Sequence, residues 1–225
     1  MKKHTILILL LIILVISGSV NVLLYNKSKQ IEGYETAADT ALSYFISEYR
    51  IEPIHRSLTQ SLSEEKLYFG EPGRFNNSYR SDLQKLSIVH RQLTLLYGPI
   101  NSYEEYTDIS SIGTNNLFIM LVDFSMFFEY LEELNFDSMA RDSEGQYIDL
   151  SKLDEEIIDG VKIIAEITGD LESIRSSSYE DKAGNDKQAL IDFMKKSAAY
   201  FNTEDVQKKI VVVQNLNKKL FSQLD

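Results

Sequence analysis

The stretch SKLDEEIIDGVKIIAEITGDLESI, residues 151–174, sets Leu153, Ile157, Val161, Ile164, Ile167, Leu171 and Ile174 at steps of three and four. Those steps follow the 3.6-residue turn of an α-helix, so seven apolar side chains fall in one stripe while the acids face away from it. Ser151 followed by Asp154 resembles a capping box at its start. A stripe of this length needs apolar partners, and the rest of the chain supplies them.

Tyr79, Leu83, Leu86, His90, Leu93 and Tyr97 recur at the same spacing, with Ser78 as N-cap and Gly98-Pro99 as the expected end. Upstream, Ala38, Leu42, Phe45 and Tyr49 form a shorter stripe that Pro53 interrupts, and Ile54, Leu58 and Leu62 form the next. Leu117 to Leu131 is apolar at 12 of 15 positions, so the helix capped by Asn115 or Asn116 is expected at the centre of the fold. Two last helices run through Leu190–Phe201 and Val206–Leu224, parted near Asn202-Thr203. Residues 64–77, with Gly70, Pro72, Gly73 and Asn76-Asn77, read as a loop, as do 100–114 and 176–184. No strand-length run alternates polar with apolar. The expected fold is all-α, a bundle of five to seven helices over residues 51–225.

At the N-terminus, residues 1–4 form a short basic tail, and Thr5 to Tyr25 carries no charge in 21 residues. At ~1.5 Å per residue that run spans roughly 31 Å, the thickness of a bilayer's hydrocarbon core. It is expected to be a transmembrane anchor, with residues 26–50 continuing as a stalk helix. The competing reading is a cleaved signal peptide with a core from Thr5 to Ile16 and small residues at Ser17-Gly18-Ser19. The anchor accounts better for the apolar residues that resume at Val20 and end on Tyr25. Two lysines precede the run and two follow it, so flanking charge does not orient it. A short basic tail before an apolar run is the usual export signal, and a cysteine-free domain suits the outside of a cell. The expectation is a single-pass cell-membrane protein with its N-terminus inside and its bundle outside.

All 34 acids lie beyond residue 30, against 19 of the 23 Lys and Arg. That excess excludes a nucleic-acid binder, which needs clustered bases to neutralise phosphates. The absence of cysteine excludes disulfide scaffolds, thiolate zinc sites and thiol catalysis. Residues 101–181 hold 20 acids and four bases, whereas 182–225 hold eight lysines and five acids, with lysine pairs at 195/196, 208/209 and 218/219. Acidic and basic helix faces are expected to pair across the bundle surface. Glu129, Glu132 and Glu133 share one face and offer a docking surface for a cationic partner, or for loosely held divalent cations.

Motifs that carry chemistry fail one by one. With Gly145 at the sixth loop position, an EF-hand over 140–151 begins on Ala140 and ends on Ser151, where acids are required. Glu52 and His55 make one Glu-x-x-His, where a di-iron bundle needs two. Ser63 and Lys66 match Ser-x-x-Lys without its companion motifs. Asp123 lies about 160° around its helix from Ser125, expected with Glu129 and Glu132 on the wet side, so it should point inward and meet His90 from the neighbouring stripe. These residues imply no cofactor. They point to a non-enzymatic extracytoplasmic interaction module, within a bacterial envelope assembly, with a ligand, ion or pH sensor built on His90 and Asp123 as the alternative.

Overall fold

Ile157, Val161, Ile164, Ile167 and Leu171 are all buried in the computed structural model of the chain, which describes residues 2–69, 79–101, 111–180 and 186–224. They lie on α5 (Glu155–Glu180). Its cap differs from expectation: Ser151 sits in a 3₁₀ turn where its N–H is held by Asp149, and the Asp154 carbonyl accepts the first bonds of the helix. Asp149 accepts from both the amide and the hydroxyl of Ser151, so Ser151 is already engaged before α5 begins.

The described residues form seven α-helices and one small sheet. The helices before α5 are α1 (Lys2–Ser47), α2 (Glu52–Glu64), α3 (Tyr79–Asn101) and α4 (Ser111–Asn135); α6 (Asp186–Phe201) and α7 (Glu204–Phe221) follow it. The chain is thus mostly helical, as its periodicity predicts. α3 runs through Gly98-Pro99 instead of ending there, because Pro99 stands in the last turn and forfeits a single backbone bond. α4 starts a turn before Asn115. Ser78 lies outside the described residues, as do 70–77, 102–110 and 181–184 of the expected loops, while 176–180, expected as loop, continue α5.

α1 is one helix over Lys2–Ser47, which includes most of the residues 26–50 expected to continue as a stalk. Its end is part of the bundle: Ala41, Phe45 and Tyr49 are buried, and Phe45 stacks on Tyr179 at 5.4 Å and against Phe193 at 4.9 Å. The core therefore begins about ten residues before the boundary expected at 51. Ile16, Val20, Val22, Leu23, Leu24 and Tyr25, upstream on the same helix, are exposed. Among the described residues no helix is long and apolar enough to cross a membrane; the side chains of residues 5–15, half of the expected span, lie outside the described ones.

Two segments depart from the all-helical expectation. β1 (Lys66–Phe69), β2 (Ala140–Arg141) and β3 (Gln146–Asp149) form an antiparallel sheet in the order β1-β3-β2, with Leu67 opposite Ile148 and Tyr68 opposite Tyr147. Leu67, Phe69 and Ile148 turn to the core. On the other face Lys66 Nζ meets Asp142 at 2.6 Å, the Tyr68 hydroxyl donates to the same carboxylate oxygen at 2.9 Å, and Lys66 lies 4.6 Å over the Tyr147 ring. Gly145, rejected as an EF-hand glycine, turns the β2–β3 hairpin at φ +140°, which a side chain would oppose.

α4 is the central helix. Leu117, Met120, Leu121, Phe124, Phe127, Phe128 and Leu131 are all buried between α3, α6 and α7. α7 also lies along α5, where Lys209 pairs with Glu166 at 2.8 Å and Lys219 with Glu156 at 3.0 Å. The basic and acidic segments do pair there across the bundle surface.

Candidate functional site

Two helices frame the outward ridge of α4. α3 runs antiparallel beside it, with Arg80 on Glu129 at 2.8 Å near one end and Arg91 over the Phe118 ring at 5.8 Å near the other. On its opposite flank α7 runs in the same direction, Asp123 meeting Gln214 and Tyr130 meeting Phe221. Between α3 and α4 opens a groove of about 490 Å³ lined by Gln84, Ile88, Arg91, Phe118, Val122 and Met126. Between α4 and α7 lies a second, of about 450 Å³, lined by Asp123, Met126, Tyr130, Gln214, Asn217 and Phe221. Met126 belongs to both, so the grooves share one apolar ridge. Ile88, Ile119, Val211 and Phe221 are each at least half exposed on these three helices, whereas single exposed apolar residues elsewhere need no explanation.

The structure does not bring His90 and Asp123 together. Asp123 is half-buried in the α4–α7 groove, where its carboxylate accepts from Gln214 at 2.7 Å and its backbone carbonyl accepts from Asn217 at 2.8 Å. His90 is fully buried on the other side of α3, its Nδ1 sharing a 3.2 Å hydrogen bond with the Tyr49 hydroxyl. Burial in that apolar setting pushes the Tyr49 hydroxyl well above its ordinary range, so it stays protonated. The geometric reason is the number of neighbours around α4. Ser125, expected on the wet side, is 6% exposed and donates to the Arg80 carbonyl at 3.1 Å, so a wheel oriented on Ser125 points Asp123 the wrong way. A sensor built on a His90–Asp123 pair has no such pair to use.

Glu129, Glu132 and Glu133 do share a face, and Arg80 lies among them. Partial burial raises the Glu132 carboxyl above its ordinary value, with nearby Arg80 lowering it and Glu129 raising it. Glu133 is exposed. Among the described residues no three His, Asp or Glu side chains converge closely enough to hold a metal ion.

Gln214, Asn217, Tyr130 and Phe221 are absent from the sequence expectation. A signal for them exists: Val211, Gln214, Lys218 and Phe221 recur at three, four and three along α7, a second stripe beside the buried Val206, Ile210, Val213 and Leu220. Comparison with family models, with characterised proteins and with solved structures finds no match to this chain.

Proposed function

We propose that this protein is a non-enzymatic helical interaction module, tethered to a cell membrane by residues 5–25 with its bundle outside, that holds a protein partner on the α3–α4–α7 face in a bacterial envelope assembly. The observation that carries the docking reading is the ridge itself. A central helix is expected to be covered on every side, yet α4 leaves Ile119 51% exposed between two grooves, flanked by Ile88 at 50% and Val211 at 51%. Glu133 and the Arg80-paired Glu129 border the same face and would give a cationic partner its orientation. Supporting the tether, the apolar residues of α1 from Ile16 to Tyr25 face solvent while the end of the same helix is locked in the core.

Both parts are tested on the intact chain in membranes. A photocrosslinking residue at Ile119 is expected to capture one discrete neighbour, whereas the same residue at Val22 should label lipid. A reporter active only outside the cytoplasm is expected to work when fused after Asp225. Loss of the Ile119 adduct with retention of the Val22 label would remove the docking reading, and a cytoplasmic reporter active at Asp225 would reverse the orientation.

A further inference from the structure

The polar floor of the α4–α7 groove keeps three acceptor oxygens beyond those its own hydrogen bonds use. Gln214 Nε2 donates to the Asp123 carboxylate and Asn217 Nδ2 to the Asp123 carbonyl. Each amide uses one of its two N–H groups in these bonds, and Asp123 Oδ1, Gln214 Oε1 and Asn217 Oδ1 remain as acceptors. Asn217 is 7% exposed, and its Oδ1 is the one enclosed side-chain atom among the described residues with no hydrogen-bond partner. Turning the amide over would set its oxygen against the Asp123 carbonyl, so the orphan acceptor cannot be relieved from within. An enclosed acceptor is costly until a donor reaches it.

We infer that this groove receives the guanidinium or ammonium of an arginine or lysine side chain carried by a protein partner. The inference rests on the interaction-module reading and names the chemistry of that partner. A carboxylate beside two spare amide oxygens calls for a cation that donates several hydrogen bonds. The walls suit the same ligand, since the Tyr130 and Phe221 rings, packed 5.6 Å apart at the groove, offer apolar surface for the aliphatic stem of a long cationic side chain. A polypeptide carrier is favoured over a free cation by the apolar shoulders: Phe221 and Val211 on α7 and Ile119 on α4 are each more than half exposed beside the polar floor. The acid excess beyond residue 30 draws such a partner in. Lys218, exposed at the rim, carries the ligand's own charge and opposes it.

The full chain in detergent micelles is titrated against a fluorescein-labelled amphipathic helical peptide with one central arginine flanked by leucines, and against its norleucine twin. Fluorescence polarisation should show the arginine peptide binding about tenfold tighter, a preference lost in Asp123→Asn and kept in Asp159→Asn, at an exposed position on α5. Lys218→Met, at an exposed position that leaves the fold alone, should tighten the arginine peptide several-fold. Far-UV circular dichroism confirms that each variant is folded. Equal binding of the two peptides, a preference unchanged in Asp123→Asn, or weaker arginine-peptide binding in Lys218→Met would each overturn the inference. Competition by N-acetyl-arginine amide as strong as by the peptide would replace the protein partner with a small cation. If instead the peptide preference holds while Ile119 captures no neighbour in membranes, the interaction-module reading fails and the chemistry of the groove stands.

Discussion

Gly33 and Gly169 both sit in helices and meet opposite surroundings. A Cβ built on Gly33 has nothing within 4 Å, whereas one on Gly169 would stand 2.6 Å from Cε1 and 2.9 Å from Nδ1 of His55. That ring is held in place by a 2.9 Å hydrogen bond from His55 Nδ1 to the Ala165 carbonyl, so Gly169→Ala must break the bond and push α2 from α5. Gly33→Ala should stabilise the chain by up to about 1 kcal/mol through helix propensity alone. Gly169→Ala should cost about 1–3 kcal/mol in spite of the same propensity gain. Urea denaturation that moved the two midpoints in the same direction would refute the close crossing. Asp142 makes a second claim at this scale. Its hydrogen bond from Lys66 holds the carboxyl at about 2, below the ordinary 3.8, with the Glu144 amide and Tyr68 hydroxyl acting the same way. A depressed carboxyl contributes stability that is complete above its unfolded value and lost as the group protonates, so the contribution should fade between about pH 4 and pH 2. In Asp142→Asn the stability profile should be flatter across that window, and an identical slope would mean the sheet's outer face has no electrostatic latch.

At the scale of elements, the burial of Ala41, Phe45 and Tyr49 has a consequence for truncation. A chain cut at residue 51, the boundary the sequence suggests, loses three core side chains, including the Phe45 ring between Tyr179 and Phe193. Removing one such aromatic costs about 3–5 kcal/mol, which approaches the whole stability of many domains. Residues 51–225 should therefore be unfolded or molten, while residues 31–225 should melt cooperatively; cooperative melting of both would put the end of α1 outside the core. The boundary is hard to read because a stripe of four residues before a proline fits a free stalk as well as a packed helix. Longer stripes were legible for the opposite reason: in α3 and α5 five or more buried side chains share one face, and only a helix satisfies them all. β1 gives no comparable signal. Lys66–Phe69 holds only two apolar positions at period two, and its partner Gln146–Asp149 lies some 80 residues onward, so the pairing that makes it a strand is not local. The candidate site was legible in part. Asp123 stands out as an acid in an apolar helix, but its partner could not be found from α4 and α3 alone, because the helix that supplies Gln214 and Asn217 is α7.

At the scale of the whole molecule, α1 joins an apolar run to a folded bundle with no break between them. From Lys29, just past that run, to Ser47, at the end of the helix, are 18 residues, or about 27 Å at 1.5 Å each. Gly33 lies within this span and adds freedom, but one glycine costs a helix only about 1 kcal/mol. The bonds from Thr36 and Thr40 hydroxyls back to the Glu32 and Thr36 carbonyls are compatible with an unbroken turn on either side. A continuous helix fixes the height of the α3–α4–α7 face above the proposed anchor, so the proposed partner would be met at a set distance; a hinge would let the face swing. The chain has no cysteine, so two can be introduced and spin-labelled without background. With labels at Lys29→Cys and Ser47→Cys, both exposed, electron–electron resonance on the full chain should give one narrow distance distribution near 27 Å, broadened only by the label linkers. A proline at Thr36 should widen and shorten that distribution while the bundle stays folded, since the core begins at Ala41. A broad distribution centred well below 27 Å in the unmodified helix would show that residues 29–47 flex, and the face would then have no fixed height from which to select its partner.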